Sequence, residues 1–115
     1  MTPRRGEVWQ TSFDPVLESE GAGERPAIIV SIDDLNASKM PLVTTILVTS
    51  SPPRVEGRLN VRLEPAASNG LTVRSWAQPH IVRAMNRQRL IRKRGTLSPE
   101  EFARVEDALR DVLGL

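Results

Sequence analysis

Glu24-Arg25-Pro26-Ala27-Ile28-Ile29-Val30-Ser31-Ile32 is the stretch on which the fold turns: a charged corner, a proline, then a continuous apolar run rich in β-branched residues. Such a run predicts a central β-strand. Before it, Ser19-Glu20-Gly21-Ala22-Gly23 supplies two glycines, which let the backbone turn sharply or let a ligand approach, and Pro26 fixes φ at the exit. Arg25 is thereby held at a rigid junction of loop and strand. A planar guanidinium there, flanked by Glu20 and Glu24, suits bidentate contact with a phosphate or carboxylate, or else an ordinary ion pair with a neighbouring acid.

Outward from this stretch the pattern repeats. Leu42 to Thr49 is a second continuous β-branched run, and Glu7 to Thr11 a shorter strand carrying Val8 and Trp9. Leu59, Val61 and Leu63 alternate with Asn60, Arg62 and Glu64, the period of a strand with one wet face. Asp33 to Ser38 is rich in turn and cap residues and predicts a loop with one helical turn. Ser51-Pro52-Pro53-Arg54-Val55-Glu56-Gly57 cannot join a ladder through its prolines and is expected to be a mobile loop. Asn69-Gly70 signals a tight turn before Leu71-Thr72-Val73. Ser98, Pro99 and Glu101 supply an N-cap, a favoured first residue and a capping-box partner for a final helix, with Phe102, Val105, Leu109 and Val112 on one face. Short strands and one terminal helix, without α/β alternation, predict a small, twisted, partly closed antiparallel barrel with the helix beside it.

The 115 residues make one domain, 1–115, because two would each be too small to bury a core without disulfides or metal. The absence of cysteine excludes a disulfide scaffold, a thiolate metal site and a thiol nucleophile, and fits the cytoplasm. No apolar run approaches the roughly 18 residues of a membrane span, so a soluble protein is expected. The sixteen basic residues are fourteen arginines and two lysines against 14 acids, a net charge of +2. Arginine favours planar contacts to phosphate, although a GC-rich genome gives the same bias.

Of the four aromatic residues, Trp9 and Phe102 fall in core patterns, which leaves Trp76 or Phe13 to stack a base or build an interface between subunits. His80 is the only histidine, which excludes a two-histidine relay within one chain. Arg83 to Arg94 contains Arg83, Arg87, Arg89, Arg92, Lys93 and Arg94 with no acid among them. That stripe suits an RNA backbone, a solvated face or an acidic protein tail, and charge alone does not choose.

Arg5-Gly6-Glu7-Val8-Trp9, Phe13-Asp14-Pro15, Arg25-Pro26, Leu47-Val48-Thr49-Ser50-Ser51, Asn69-Gly70-Leu71, Arg87-Gln88-Arg89-Leu90 and Leu113-Gly114-Leu115 follow one another in this order. In that order the chain resembles the MazF/PemK family of toxin endoribonucleases over essentially its whole length. The resemblance implies a mainly β fold with a C-terminal helix, an SH3-like small antiparallel β-barrel shared with gyrase-poisoning toxins, working as a homodimer. It implies a metal-independent, cofactor-free, sequence-selective endoribonuclease that cuts single-stranded mRNA by 2′-hydroxyl transesterification. The products would be a 2′,3′-cyclic phosphate and a 5′-hydroxyl, and a cognate MazE-like antitoxin would block the cut.

By the same resemblance the catalytic pair falls on Arg25 and Thr49. Physically, Arg25 serves best as a donor to the non-bridging oxygens, since a guanidinium stays protonated at neutral pH. RNA contacts are expected from Glu20, Ser50, Arg58, Gln78, His80, Arg83 and Arg87. Ala77 stands where the family often has an acidic residue, a departure that bears on sequence preference and not on cleavage. The alternatives are a non-catalytic toxin of the same fold that poisons DNA gyrase, and a plain SH3-like binding module.

Overall fold

Ala27, Ile28 and Ile29 are fully buried, and the strand that carries them lies in the middle of a single antiparallel sheet. The structure is a computed structural model and describes residues 2–12 and 23–115. Its strands are β1 (Glu7–Ser12), β2 (Glu24–Ile29), β3 (Leu42–Thr49), β4 (Val61–Leu63), β5 (Ser75–Asn86) and β6 (Leu90–Thr96), in the order β4-β5-β3-β2-β1-β6. A one-turn helix, α1 (Asp33–Asn36), follows β2, a 3-10 turn at Arg87–Arg89 joins β5 to β6, and the helix α2 (Pro99–Leu113) ends the chain. The sheet curls into a half-barrel beside α2, the architecture expected from the sequence.

Both faces of the sheet are apolar, which is why β2 and β3 are unbroken hydrophobic runs. On one face Val8, Ile28, Ile46, Val48, Leu63 and Ala77 pack with Val105 and Ala108 of α2, while on the other Trp9, Ile29, Val43, Met85 and Leu90 form a second cluster. Neighbours in sequence, Val8 and Trp9 or Ile28 and Ile29, thus point to opposite sides as the pleat requires. Each such side chain contributes about 1.5–3 kcal/mol by leaving water. The helix face includes Ala108, which the apolar spacing alone does not flag because alanine is small.

The curl has a local cause in β5. Ile46 pairs with Val82 but Leu47 pairs with Gln78, so Pro79, His80 and Ile81 are extra residues on β5. A bulge bends its strand and increases twist, and Pro79 sits where no ladder hydrogen bond is asked of it.

One expectation needs correction. Leu59 is 45% exposed, and β4 begins only at Val61, because the Asn60 N–H closes a turn onto Gly57. After the turn at Asn69-Gly70, Leu71 makes an isolated bridge with Ala66, and β5 starts at Ser75.

The capping box at Ser98 is present, with the Glu101 N–H donating to Ser98 Oγ at 3.1 Å and the Ser98 N–H to Glu101 Oε1 at 2.8 Å. Arg5 fastens α2 to the sheet, 2.8 Å from Glu106 and stacked 4.9 Å from the Phe102 ring. Among the described residues no helix is long and apolar enough to cross a membrane.

Candidate active site

Arg25 is the second residue of β2, with its backbone opposite Thr11. The buried Thr11 hydroxyl donates 2.8 Å to the Arg25 carbonyl, so the main chain is pinned there. The guanidinium itself is exposed and has no partner among the described residues. At the end of β3, Thr49 lies opposite Trp76 and accepts the Ser51 N–H on Oγ1 at 3.1 Å. Its hydroxyl proton is left to donate elsewhere.

Arg25, Thr49 and Ser50 line one cavity of about 200 Å³, together with Glu24, Leu71, Thr72, Val73, Ser75 and Arg94. The antiparallel sheet brings these residues together, since the start of β2 and the end of β3 share one edge of the curl. Two guanidiniums against one carboxylate give a cationic hollow suited to an anion such as phosphate.

Asn69 stands behind the wall formed by Leu71, Thr72 and Val73 and holds its start in place. Its buried side chain accepts from the Ala66 N–H at 3.2 Å and the Leu71 N–H at 2.9 Å, and donates to the Glu64 carbonyl and to Glu101 Oε2, both at 3.0 Å. All four hydrogen-bonding positions of the amide are satisfied, which fixes the turn against the cap of α2. Gly70, at φ 74°, permits the approach: a Cβ there would stand 2.1 Å from the Arg94 carbonyl oxygen.

Arg94 then donates to the Gly70 carbonyl at 2.9 Å and to Gln10 Oε1 at 3.0 Å, while Gln10 Nε2 donates to Glu24 Oε1 at 3.3 Å. Glu24, Gln10 and Arg94 are one hydrogen-bonded chain across β2, β1 and β6.

The other expected site residues are distributed around the sheet. Glu20 and Phe13 lie outside the described residues. Gln78 is half-buried on β5 beside the bulge, His80 is exposed on the bulge, and Arg83 is exposed opposite Thr45; none of these lines the Arg25 cavity. Arg58 lies 3.8 Å from Asp111 in a separate cleft of about 260 Å³ against α2.

Arg87 has a structural position. Its guanidinium donates to the carbonyls of Met40 at 2.9 Å, Asn36 at 2.8 Å and Leu35 at 3.4 Å. Other members of the basic stripe are also engaged within the fold: Lys93 lies 3.2 Å from Glu7, and Arg89 donates to the Ser12 carbonyl at 3.3 Å. Trp76 is only 5% exposed, with its indole N–H donating to Glu56 Oε2 at 3.3 Å, so it anchors the loop after β3 and presents no face to a base.

Arg94 and Glu24 are the charged cavity residues that the sequence reading does not place beside Thr49. Glu24 stands beside Arg25 in sequence, but Arg94 arrives through the pairing of β1 with β6, for which no local signal exists.

A six-stranded curled sheet with a terminal helix is the fold of the small β-rich toxins typified by MazF. MazF from Deinococcus radiodurans matches with a TM-score of 0.79 at 25% identity, over 100% of this chain and 99% of that one. A MazE-MazF complex from the same organism matches with a TM-score of 0.78 at 22% identity, over 100% and 99% of the two chains. The chain belongs to the PemK-like, MazF-like toxin family of type II toxin-antitoxin systems, whose model matches residues 4–113. It is 38% identical to Endoribonuclease MazF9 of Mycobacterium tuberculosis, over 97% of each chain.

Proposed function

We propose that this chain is a sequence-selective, metal-independent endoribonuclease toxin that cuts single-stranded RNA in the cytoplasm and is neutralised by a MazE-like antitoxin. The observation that carries this reading is the meeting of Arg25, Thr49 and Ser50 in one cavity, with the Arg25 guanidinium unpartnered among the described residues. RNA brings its own nucleophile, the 2′-hydroxyl, so the protein has to position the phosphate and stabilise the charge that builds on it. Arg25 donates to the non-bridging oxygens, where bonds strengthen as negative charge develops, and Thr49 adds its free hydroxyl proton to the same oxygens. Ser50 is placed to add another donor.

Family membership and the relative solved with MazE support the antitoxin as partner. Homodimerisation follows from the same resemblance. An acidic antitoxin segment laid over this cationic hollow competes by charge, so its inhibition weakens as salt rises.

The test is a long single-stranded RNA incubated with the purified protein in EDTA, with the product ends mapped. Discrete cuts bearing cyclic-phosphate ends are expected. Intact RNA from folded, toxic protein would overturn the nuclease reading and bring gyrase binding forward.

A further inference from the structure

A 2′-hydroxyl must lose its proton as its oxygen bonds to phosphorus, and a guanidinium that is always protonated does not take it. Among the described residues lining the Arg25 cavity, Glu24 is the one carboxylate; the remainder are arginines, hydroxyls and apolar groups. His80 does not line the cavity.

Glu24 is exposed yet oriented. Its Oε1 accepts from Gln10 Nε2 at 3.3 Å, and Gln10 is fixed in turn by Arg94 at 3.0 Å. Its Oε2 has no partner among the described residues. A carboxylate steadied through one oxygen and open at the other, in the same hollow as Thr49 and Ser50, has the form of a general base.

We propose that Glu24 is the general base of the cleavage, an inference that rests on the ribonuclease reading. The 2′-oxygen lone pair forms the new O–P bond while its proton passes to Glu24 Oε2. The P–O5′ bond breaks with its electron pair on the 5′-oxygen, which takes a proton from water, and Glu24 returns its own proton to the hydroxide so formed.

Among the described residues, the charged groups that share the cavity with Glu24 are Arg25 on its own strand and Arg94. Arg92 pairs in register with Gln10, and Arg89 bonds the carbonyl of Ser12, the register partner of Glu24. All four are arginines, which stay protonated at neutral pH and do not take up the proton.

The test compares cutting of a short RNA containing the mapped site by wild type, Glu24→Gln and Glu24→Ala, from pH 4 to 9, with melting temperatures confirming the fold. Glutamine still accepts from Gln10 but takes no proton. Glu24→Gln is expected to lose about 10²–10⁴-fold in kcat, with KM little changed, and to lose the acidic limb of the wild-type profile. Added formate is expected to restore part of the activity of Glu24→Ala and none to Thr49→Ala. A Glu24→Gln enzyme with the wild-type pH profile, or one altered in KM alone, would overturn the base assignment. RNA left intact by the wild type removes the ribonuclease reading before any variant is compared.

Discussion

Arg25 and Arg87 carry the same side chain and do opposite things. Arg87 gives its donors to three carbonyls around α1 and the approach to β3, whereas Arg25 has its backbone pinned by Thr11 and its guanidinium unpartnered among the described residues. One arginine spends its donors on the fold, and the other keeps its donors unused among the described residues. The difference lies in which carbonyls the fold leaves within reach, and a tally of basic residues does not contain it.

The comparison breaks most readily at Arg25. Arg25→Ala is expected to lose about 10²–10³-fold in RNA cutting, the usual cost of removing one preorganised donor from a developing oxyanion, with the melting temperature unchanged. Arg25→Lys should recover little, because a point charge does not reproduce the fork. A large drop in melting temperature with either change would mean that Arg25 is a structural arginine after all.

Thr49→Val removes the hydroxyl and keeps the shape. One hydrogen bond to a charged group is worth about 1.5–3 kcal/mol, so cutting should fall roughly 10–100-fold. Unaltered rates would restrict Thr49 to its bond with Ser51.

Arg87→Ala should show the reverse profile. Losing its carbonyl bonds is expected to cost about 1–2 kcal/mol of stability, seen as a lower urea midpoint, while cutting by the folded fraction stays near the wild-type rate. A cutting defect at full stability would return Arg87 to the RNA contacts expected of it from the sequence.

The sequence states most plainly what short-range physics decides. Unbroken runs at Ala27 to Val30 and Leu42 to Thr49 can be buried on both sides, and the capping box at Ser98 is complete within four residues. That Arg25, Thr49 and Ser50 stand at strand ends was legible, because Pro26 and the end of the apolar run mark those ends. The wall opposite was not, since Asn69, Gly70 and Arg94 meet only after β6 pairs with β1 and the turn at Asn69 bonds to Glu101 of α2. The same distance effect hides the difference between Arg25 and Arg87, whose acceptors lie up to 52 residues away.

The smallest expected effect lies at the α1 end of that contrast, in Asp33. The Arg5 N–H donates to Asp33 Oδ1 at 2.7 Å, Asn36 Nδ2 donates to the same oxygen at 3.1 Å, and Arg4 lies 3.6 Å from Oδ2. These contacts, the Arg5 N–H foremost, hold the carboxyl below its ordinary value of 3.8. A depressed carboxylate contributes stability that is fully present above the unfolded value and is lost as pH falls through the folded one. Wild type should therefore melt slightly higher than Asp33→Ala at pH 6, and the gap should narrow below the ordinary value of 3.8. Because Asn36 also offers its carbonyl to Arg87, the gap should shrink in an Arg87→Ala background, where the α1 turn is already loosened. A gap constant from pH 6 to pH 2.5 would assign the contribution to shape rather than charge and detach Asp33 from the Arg87 clamp.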